Sequence, residues 1–171
     1  MTNTESMQNA VCDAIDAERD TIVGLGEAIM DEPELGFKET RTAARVVEVF
    51  QTAGLPAENG LALTGVKAVF DSGRPGPTVA LMGELDALIV PDHPRCDAHT
   101  GAAHACGHNA QIAGMAGAAI GVAAADLGKQ ISGRVVFFAV PAEEYVEIDY
   151  RLGLVREGQT SFLGGKPELV K

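Results

Sequence analysis

The chain has 171 residues, of which 46% are hydrophobic and 22% are charged, and its formal net charge is −11. This length is enough for one domain with its own hydrophobic core. The acidic balance argues against nucleic acid or an anionic membrane surface as a partner, because either would need a basic patch and the sequence contains none.

Cysteine usage and the N-terminus predict a cytoplasmic protein without membrane contact. The three cysteines, Cys12, Cys96 and Cys106, lack the spacing of a disulfide framework, which favours a reducing compartment. The first residues, MTNTESMQNAV, show no basic start followed by an apolar run, so they do not resemble a signal peptide. The apolar stretch 112–127 is short for a bilayer, although its glycine spacing also occurs in membrane helix pairs.

The first third of the chain reads as two helices. Apolar residues at helical spacing predict a helix from Ser6 to Met30, and the segment DEPELGF then interrupts the pattern with Pro33 and Gly36. A second helix is predicted over about 40–53, and Gly54 is its expected C-terminal stop.

Strands and a further helix follow. GVKAVF at 65–70 predicts a strand, and TVALM at 78–82 predicts a buried one. Residues 83–108 read as irregular, and a helix of small residues is predicted at about 109–127. RVVFFAV at 134–140 has six apolar residues in a row, which predicts a strand buried on both faces.

No element is predicted for residues 145–171, where periodicity fades. The alternation of helices and strands predicts an α/β layered domain with a largely parallel central sheet. In such sheets, ligands collect beyond the carboxyl ends of the strands.

Potential ligands follow two predicted strands and precede a predicted helix. Glu84 and Asp86 come directly after TVALM, and Glu143 and Glu144 come directly after RVVFFAV. The segment HACGH lies just before the helix that begins near residue 109. We therefore expect these three groups to meet at one edge of the sheet.

The residue types in these groups are typical of a metal site. His104, Cys106 and His108 alternate, and an extended backbone would place them on one side. One carboxylate of an adjacent pair can bind a metal while the other takes a proton from the water that the metal activates. A Cys106 thiolate would favour zinc, manganese or another transition metal over magnesium or calcium.

Each feature also has an ordinary structural explanation. Adjacent glutamates are commonly solvated surface charge, and Asp86 could cap a helix. Cys106 could be a small buried residue, which is the common fate of a free cysteine. His93 and His99 lie in a polar loop that contains proline, and we expect both to be exposed.

The motifs GELDALIVP, GAAHACGHNAQ and PAEE, with DEPELGFKET after the first helix, resemble one enzyme family in order and spacing. It is the amidohydrolase branch of the aminoacylase and carboxypeptidase metallopeptidases (metallopeptidase family 20, subfamily D). The resemblance covers about residues 13 to 165. GELDAL together with Asn109 is most similar to the aminobenzoyl-glutamate hydrolase type. The resemblance implies a three-layer αβα, zinc-peptidase-like catalytic domain.

The resemblance also implies hydrolysis of the amide between an acyl or aroyl group and an amino acid, at a site with two divalent metal ions, zinc or manganese. By motif, Cys106 matches the thiolate ligand between the metals, and His108 and Glu144 match further ligands. Glu143 matches the general base, and Asp86 matches the supporting acid beneath the site.

Two further residues lie within these motifs. His104 is expected to shape its loop rather than bind metal. Glu84 occupies the position where related peptidases carry a metal-binding histidine, and its role stays open.

Members of this family run to more than twice the present length. They carry further histidine ligands after the PAEE motif and an inserted dimerisation domain, whereas all four histidines here precede Glu144. We therefore expect residues 1–171 to be the N-terminal portion of a single catalytic domain, without the dimerisation or lid domain. This portion is expected to have little or no activity alone, and the complete enzyme is expected to be a homodimer.

Other functions are compatible with the same residues. A non-catalytic metal-binding or regulatory protein would keep Cys106, His108 and Glu144 without the remaining ligands, and a structural partner would bind no metal. A zinc nucleobase deaminase would also use histidine, cysteine and glutamate, but the paired-cysteine segment of that chemistry is absent.

Overall fold

The computed structural model describes residues 3–125 and 127–171. The helices are α1 (Asn3–Ala17), α2 (Arg19–Asp31), α3 (Thr40–Thr52), α4 (His108–Ala124), α5 (Ile148–Arg156) and α6 (Gly165–Leu169). The strands are β1 (Ala57–Leu61), β2 (Gly65–Asp71), β3 (Thr78–Glu84), β4 (Leu88–Ile89), β5 (Ala102–Ala103) and β6 (Arg134–Val140). A single 3-10 turn spans Leu127–Lys129.

Most of the predicted elements are confirmed, and the differences have local causes. The predicted helix from Ser6 to Met30 is interrupted at Glu18, because a break of one residue leaves the apolar spacing intact and so escapes the pattern. β1 was not predicted, and its sequence AENGL explains why: it has few apolar residues and is mostly exposed. The irregular segment 83–108 contains the short pair β4–β5.

The main sheet has the order β1-β2-β6-β3, and it is mixed. β3 pairs with β6 in parallel, whereas β1 with β2 and β2 with β6 are antiparallel. The α/β class is confirmed, but the expectation of a largely parallel sheet is wrong. Parallel neighbours require a long crossover, which the segment containing α4 provides between the end of β3 and the start of β6, whereas β1 and β2 are joined by a tight turn and are antiparallel.

Helices α2, α3 and α4 lie on one face of the sheet, and α1 packs against α4. Alternate residues of β2 and β6 point into the core on that face, and they pack against the apolar stripes of α2, α3 and α4. The buried core residues of these strands are Val66, Ala68, Phe137 and Ala139. The described residues thus form the sheet and one of the two helical layers that the resemblance implies.

Glycines of α4 let neighbouring helices approach closely. A Cβ at Gly117 would lie 3.1 Å from Ile22 Cδ1, and one at Gly121 would lie 2.8 Å from Ile15 Cγ1. The glycine spacing that also suggested a membrane helix pair therefore serves packing against α1 and α2. None of the helices in the described residues has both the length and the apolarity that crossing a membrane requires.

The opposite face of the sheet and the β3 edge are open. Val79 and Met82 of β3 are 59% and 54% exposed, and Val136 and Phe138 of β6 are half-buried. The expectation of a buried strand at 78–82 is wrong, as is full burial of 134–140 on both faces. β3 is an edge strand with a partner on one side only, and an apolar sequence does not reveal that position.

Candidate metal centre

The carboxyl ends of β3 and β6 lie side by side, as predicted. The parallel register aligns Glu84 with Val140, and the Leu85 N–H then donates to the Val140 carbonyl oxygen at 2.9 Å. One residue further along, the Glu144 N–H donates to Asp86 Oδ2 at 2.9 Å. The segments GELDAL and PAEE therefore run together beyond the sheet.

The HACGH segment enters this edge through a tight turn. Gly107, with φ of 90°, is the N-cap of α4, and this left-handed conformation favours glycine. His108 is the first residue of α4 and is only 3% exposed. Its Nδ1 lies 2.8 Å from the Asp86 carbonyl oxygen, which fixes the orientation of the ring.

The other ring nitrogen of His108 faces carboxylates. Nε2 lies 2.8 Å from Glu84 Oε2, 3.9 Å from Glu144 Oε1 and 4.0 Å from Glu143 Oε2. His108 is consequently the centre of the cluster.

Two overlapping sets of donor atoms share His108. In one set, the ligand atoms of Cys106, His108 and Glu144 lie within 4.8 Å of one another. In the other, those of Glu84, His108 and Glu143 meet the same limit. The structure therefore brings the three predicted metal ligands together and places the predicted base beside them. Their roles stay predictions, and Glu84, whose role was open, joins the cluster.

The charge of the cluster favours a cation. Burial lowers the pKa of His108, but hydrogen bonds to Asp86 and Cys106 raise it, to about 11. Asp86 is fully buried, and its Oδ1 has no hydrogen-bond partner among the described residues. The donors are a nitrogen, a sulfur and several carboxylate oxygens, a set that fits a transition metal such as zinc or manganese.

Two basic residues from the last part of the chain reach this cluster, and the sequence reading missed both. Lys166 forms an ion pair with Glu84, its Nζ lies 3.5 Å from Glu143 Oε1, and the hydrogen bond to Glu84 raises the pKa of Lys166. Arg151 lies beneath, with Nη2 at 3.9 Å from Asp86 Oδ2. Neither lies in a segment with a periodic apolar pattern. The glycine pair before Lys166 was the sequence signal for close contact between this part of the chain and its neighbours.

That glycine pair, Gly164 and Gly165, allows α6 to sit against the end of β6. A Cβ at Gly165 would overlap the Pro141 carbonyl oxygen, and one at Gly164 would lie 2.8 Å from the Tyr145 hydroxyl. The Gly165 N–H donates to the Ala142 carbonyl oxygen at 3.2 Å. The residue after the pair, Lys166, is thereby brought to the cluster.

The remaining histidines lie outside the two donor sets. His104 is buried, and neither ring nitrogen has a hydrogen-bond partner among residues 3–125 and 127–171. Burial, followed by the charge of His108, lowers the pKa of His104 to about 4. His99 is exposed as expected, whereas His93 is half-buried and its Nδ1 accepts the Arg95 N–H at 3.1 Å.

A buried carboxylate also supports the end of β6 and was not predicted. Glu39 is 0% exposed, and it accepts hydrogen bonds from the Thr64 hydroxyl at 2.6 Å and from the Ala142 N–H at 2.7 Å. Burial raises the pKa of Glu39 to about 7. It belongs to the DEPELGFKET motif, so this motif contacts the residue next to the predicted base.

Comparison with known proteins places these features in a family. The model of peptidase family M20/M25/M40 matches residues 80–162, a range that contains both donor sets and Arg151. Thermostable carboxypeptidase 1 of Saccharolobus solfataricus is 35% identical over 130 residues, which are 73% of this chain and 32% of the relative. The chain belongs to the peptidase M20/M25/M40 family.

Another relative and a solved structure agree with this M20 membership. IAA-amino acid hydrolase ILR1-like 5 of Arabidopsis thaliana is 32% identical over 128 residues, which are 73% of this chain and 29% of that protein. The YXEP protein of Bacillus subtilis, described as a dinuclear metal-binding peptidase, superposes with a TM-score of 0.62 at 25% identity. That match covers 84% of this chain and 40% of the YXEP chain. The M20 chain thus spans about a third of the length of its curated relatives.

Proposed function

We propose that this M20 chain serves metal-dependent hydrolysis of the amide in an N-acyl or N-aroyl amino acid, such as an aminobenzoyl-glutamate-like compound. The observation that carries the proposal is the pair of donor sets sharing His108, with the glutamate pair at the end of β6 contributing to both. The names of the carboxypeptidase and of the IAA-amino acid hydrolase both describe cleavage next to an amino acid, which supports this bond class.

The proposed cofactors are two divalent ions, zinc or manganese. Cys106, His108 and Glu144 would hold one, and Glu84 would contribute a carboxylate oxygen to the second, with Glu143 beside it as the base. Bound there, the ions would lower the pKa of a coordinated water and polarise the amide carbonyl. The described dinuclear metal binding of the YXEP protein supports this stoichiometry.

His108 is oriented for metal binding through Nε2. Its Nδ1–H donates to the Asp86 carbonyl oxygen at 2.8 Å, so the proton that the raised pKa of His108 retains is the one on Nε2, and loss of that proton would free the Nε2 lone pair for a metal. Asp86 also accepts the Glu144 N–H through Oδ2. We therefore assign Asp86 the supporting role, because it orients His108 with its carbonyl and Glu144 with its carboxylate.

Glu143 is the proposed general base. Its side chain is 34% exposed, more than that of Glu144 at 24%, so water and substrate can both reach its carboxylate. In this role it accepts a proton from the attacking water and delivers it to the leaving amine. Lys166 lies 3.5 Å from Glu143 Oε1, at the open side of the cluster.

We further propose that residues 1–171 supply the N-terminal part of a longer cytoplasmic catalytic domain that works as a homodimer. The share of the relatives that the chain spans, 32% of the carboxypeptidase, supports a contribution of this kind. On this proposal, the isolated chain binds metal but turns substrate over slowly or not at all.

The test combines metal analysis with an amidase assay of the chain and of any longer product of its reading frame. Two equivalents of zinc or manganese and hydrolysis of aminobenzoyl-glutamate or N-acetyl amino acids are expected from the catalytic assembly. Glu143→Gln should retain the metals and lose about 10²- to 10⁴-fold in turnover. Glu157→Gln, at an exposed carboxylate beyond α5, is the matched control.

The alternative is a non-catalytic metal-binding protein, favoured by one observation: Lys166 already pairs with Glu84. It predicts one metal equivalent or none, and no hydrolysis by either form of the protein. Metal stoichiometry therefore separates the two functions before any substrate is known.

A further inference from the structure

Arg151 is the largest fully buried side chain of the described residues, with 0% exposure. It lies within α5, and its guanidinium donates to backbone carbonyls from two other segments. Nη1 contacts the Ala142 oxygen at 3.3 Å and the Leu163 oxygen at 2.8 Å, and Nη2 contacts the Glu144 oxygen. One side chain therefore joins the PAEE segment to the loop that precedes Lys166.

The DEPELGF segment lines the space that this guanidinium occupies. A Cβ at Gly36 would overlap Arg151 Nη2 and would lie 2.9 Å from Ala142 Cα, so glycine leaves the room that the arginine occupies. The Phe37 ring centroid lies 5.5 Å from Arg151 Cζ, and the Tyr145 ring centroid lies 5.8 Å from it. These distances allow cation–π attraction to both rings.

The backbone that Arg151 holds is strained. Ala142 has φ of 51°, which residues other than glycine seldom adopt, and such conformations persist only where surrounding contacts impose them. Here Arg151 binds the Ala142 carbonyl, and Glu39 accepts the Ala142 N–H at 2.7 Å. The turn that precedes Glu143 is thus held from both sides.

Arg151 and Asp86 both bind the backbone of Glu144. Asp86 Oδ2 accepts the Glu144 N–H, Arg151 donates to the Glu144 carbonyl, and Nη2 lies 3.9 Å from Asp86 Oδ2. A buried ion pair of this kind is commonly less stabilising than apolar packing of the same volume. The rigid fork of donors on the Arg151 guanidinium is instead suited to fixing several acceptors in one geometry.

We propose that Arg151 is a positioning residue: seated on Gly36 and Phe37, it sets the backbone of Ala142–Glu144 so that Glu143 and Glu144 face His108. This inference rests on the proposed function, in which Glu144 binds metal and Glu143 acts as the base. It also assigns a role to the DEPELGF motif, whose Gly36 and Phe37 receive the guanidinium.

The test uses three variants of the 171-residue chain. Arg151→Lys keeps the positive charge but lacks the fork, Arg151→Met keeps bulk without donors, and Gly36→Ala displaces the guanidinium while Arg151 is retained. Gly114→Ala is the matched control, because a Cβ at that glycine on α4 would meet nothing within 4 Å. Far-ultraviolet circular dichroism and thermal melting establish which variants fold.

Two readouts follow for the folded variants. In the metal-free chain, hydrogen exchange measured by mass spectrometry should become faster in the peptides covering 141–147 and 160–165, and should stay unchanged in α4. In titrations with Co²⁺, all three variants should bind about 10- to 100-fold more weakly and show a shifted visible spectrum. Gly114→Ala should match the parent chain in both measurements.

A merely structural role gives a different result. Variants that melt at lower temperature, yet retain parental Co²⁺ affinity, spectrum and local exchange while folded, would overturn the proposal. If Arg151→Met does not fold, the lysine and Gly36 variants decide the question. A parent chain that binds no Co²⁺ would contradict the proposed function instead, and hydrogen exchange would still report whether Arg151 orders the PAEE segment.

Discussion

β3 and β6 are parallel neighbours with similar apolar sequences, yet their environments differ. Phe137 of β6 is 0% exposed, whereas Met82 of β3, which pairs with Phe138 of β6, is 54% exposed. β6 has a strand on each side, and β3 forms the edge of the sheet. An apolar run therefore predicts a strand, but its burial depends on neighbours that the run itself does not specify.

The difference disappears where the two strands end. Glu84 at the end of β3 and Glu144 after β6 both lie within 4 Å of His108 Nε2, and buried charged groups hold the connecting backbone. The molecule is thus tightly ordered at the carboxyl ends of these strands and open along the side of β3. Each of the following experiments compares a residue of the ordered region with one of the open or exposed regions.

The largest expected effect separates the two strands directly. Phe137→Ala should lower the free energy of unfolding by about 3–5 kcal/mol, because it leaves a cavity between the sheet and the helices. Met82→Ala should change it by about 0.5 kcal/mol, as is usual for exposed positions. Urea unfolding followed by circular dichroism measures both. Equal losses would show that the open face of β3 is covered in solution.

Glu39 provides a pH-dependent test of the ordered region. Burial raises its pKa from 4.5 to about 7, so the folded chain binds more protons than the unfolded chain in this interval. The contribution of Glu39 to stability therefore falls as pH rises from 4.5 through 7. Glu39→Gln cannot ionise and keeps an acceptor for the Ala142 N–H. Its unfolding free energy relative to the parent should rise by about 3 kcal/mol between pH 4 and pH 8.

The control for this prediction lies on α3, the helix that begins directly after Glu39. Glu48→Gln removes an exposed carboxylate and should show no comparable pH dependence relative to the parent. A flat difference for Glu39→Gln as well would mean that water reaches Glu39 and that its carboxylate is not buried in solution.

The candidate site was more predictable from the sequence than the contacts that support it. Glu84, Glu143 and Glu144 were placed correctly at one edge, because the end of a strand can be located in the sequence. Arg151 and Lys166 could not be found in this way, since they follow no periodic pattern and reach the site across long separations. Glu39 was missed for a related reason: an acidic residue just before a helix is usually expected to be a solvent-exposed charged side chain.

The fold shows the same limit. Helices α1 to α4, with α1 and α2 as one helix, and the three apolar strands were predicted from periodicity, whereas α5, α6 and the mixed order of the sheet were not. β1 and β2 are joined by a short connection that includes Ala62 and Leu63, both with positive φ, and this turn makes them antiparallel. No apolar pattern encodes that geometry, so the expectation of a largely parallel sheet, which followed from the alternation of helices and strands, was wrong.

His108 is expected to dominate metal binding, because it belongs to both donor sets. His108→Ala should weaken zinc or cobalt binding by at least about 100-fold, more than the loss of a supporting residue. His99→Ala, at an exposed histidine in the loop before the site, should leave the affinity unchanged. Isothermal titration calorimetry measures both variants. Parental affinity in His108→Ala would contradict a metal centre at this edge of the sheet.

Lys166 is expected to have the smallest effect, and the sign of that effect is informative. Its ammonium pairs with Glu84 and lies 3.5 Å from Glu143 Oε1, so it competes with a divalent ion for the same oxygens. Because the lysine is partly exposed, the competition should be modest. Lys166→Met should tighten binding of the second metal equivalent by about fivefold or less.

Lys67→Met is the matched control, since Lys67 forms a 2.7 Å ion pair with Glu58 away from the site. Calorimetry at two salt concentrations should show the Lys166 effect shrinking as salt rises, because ions screen partly exposed pairs. A weaker second equivalent in Lys166→Met would reverse the interpretation. It would mean that the ammonium holds Glu84 and Glu143 in place for the metal, and that α6 forms part of the ordered region rather than a competitor at its open side.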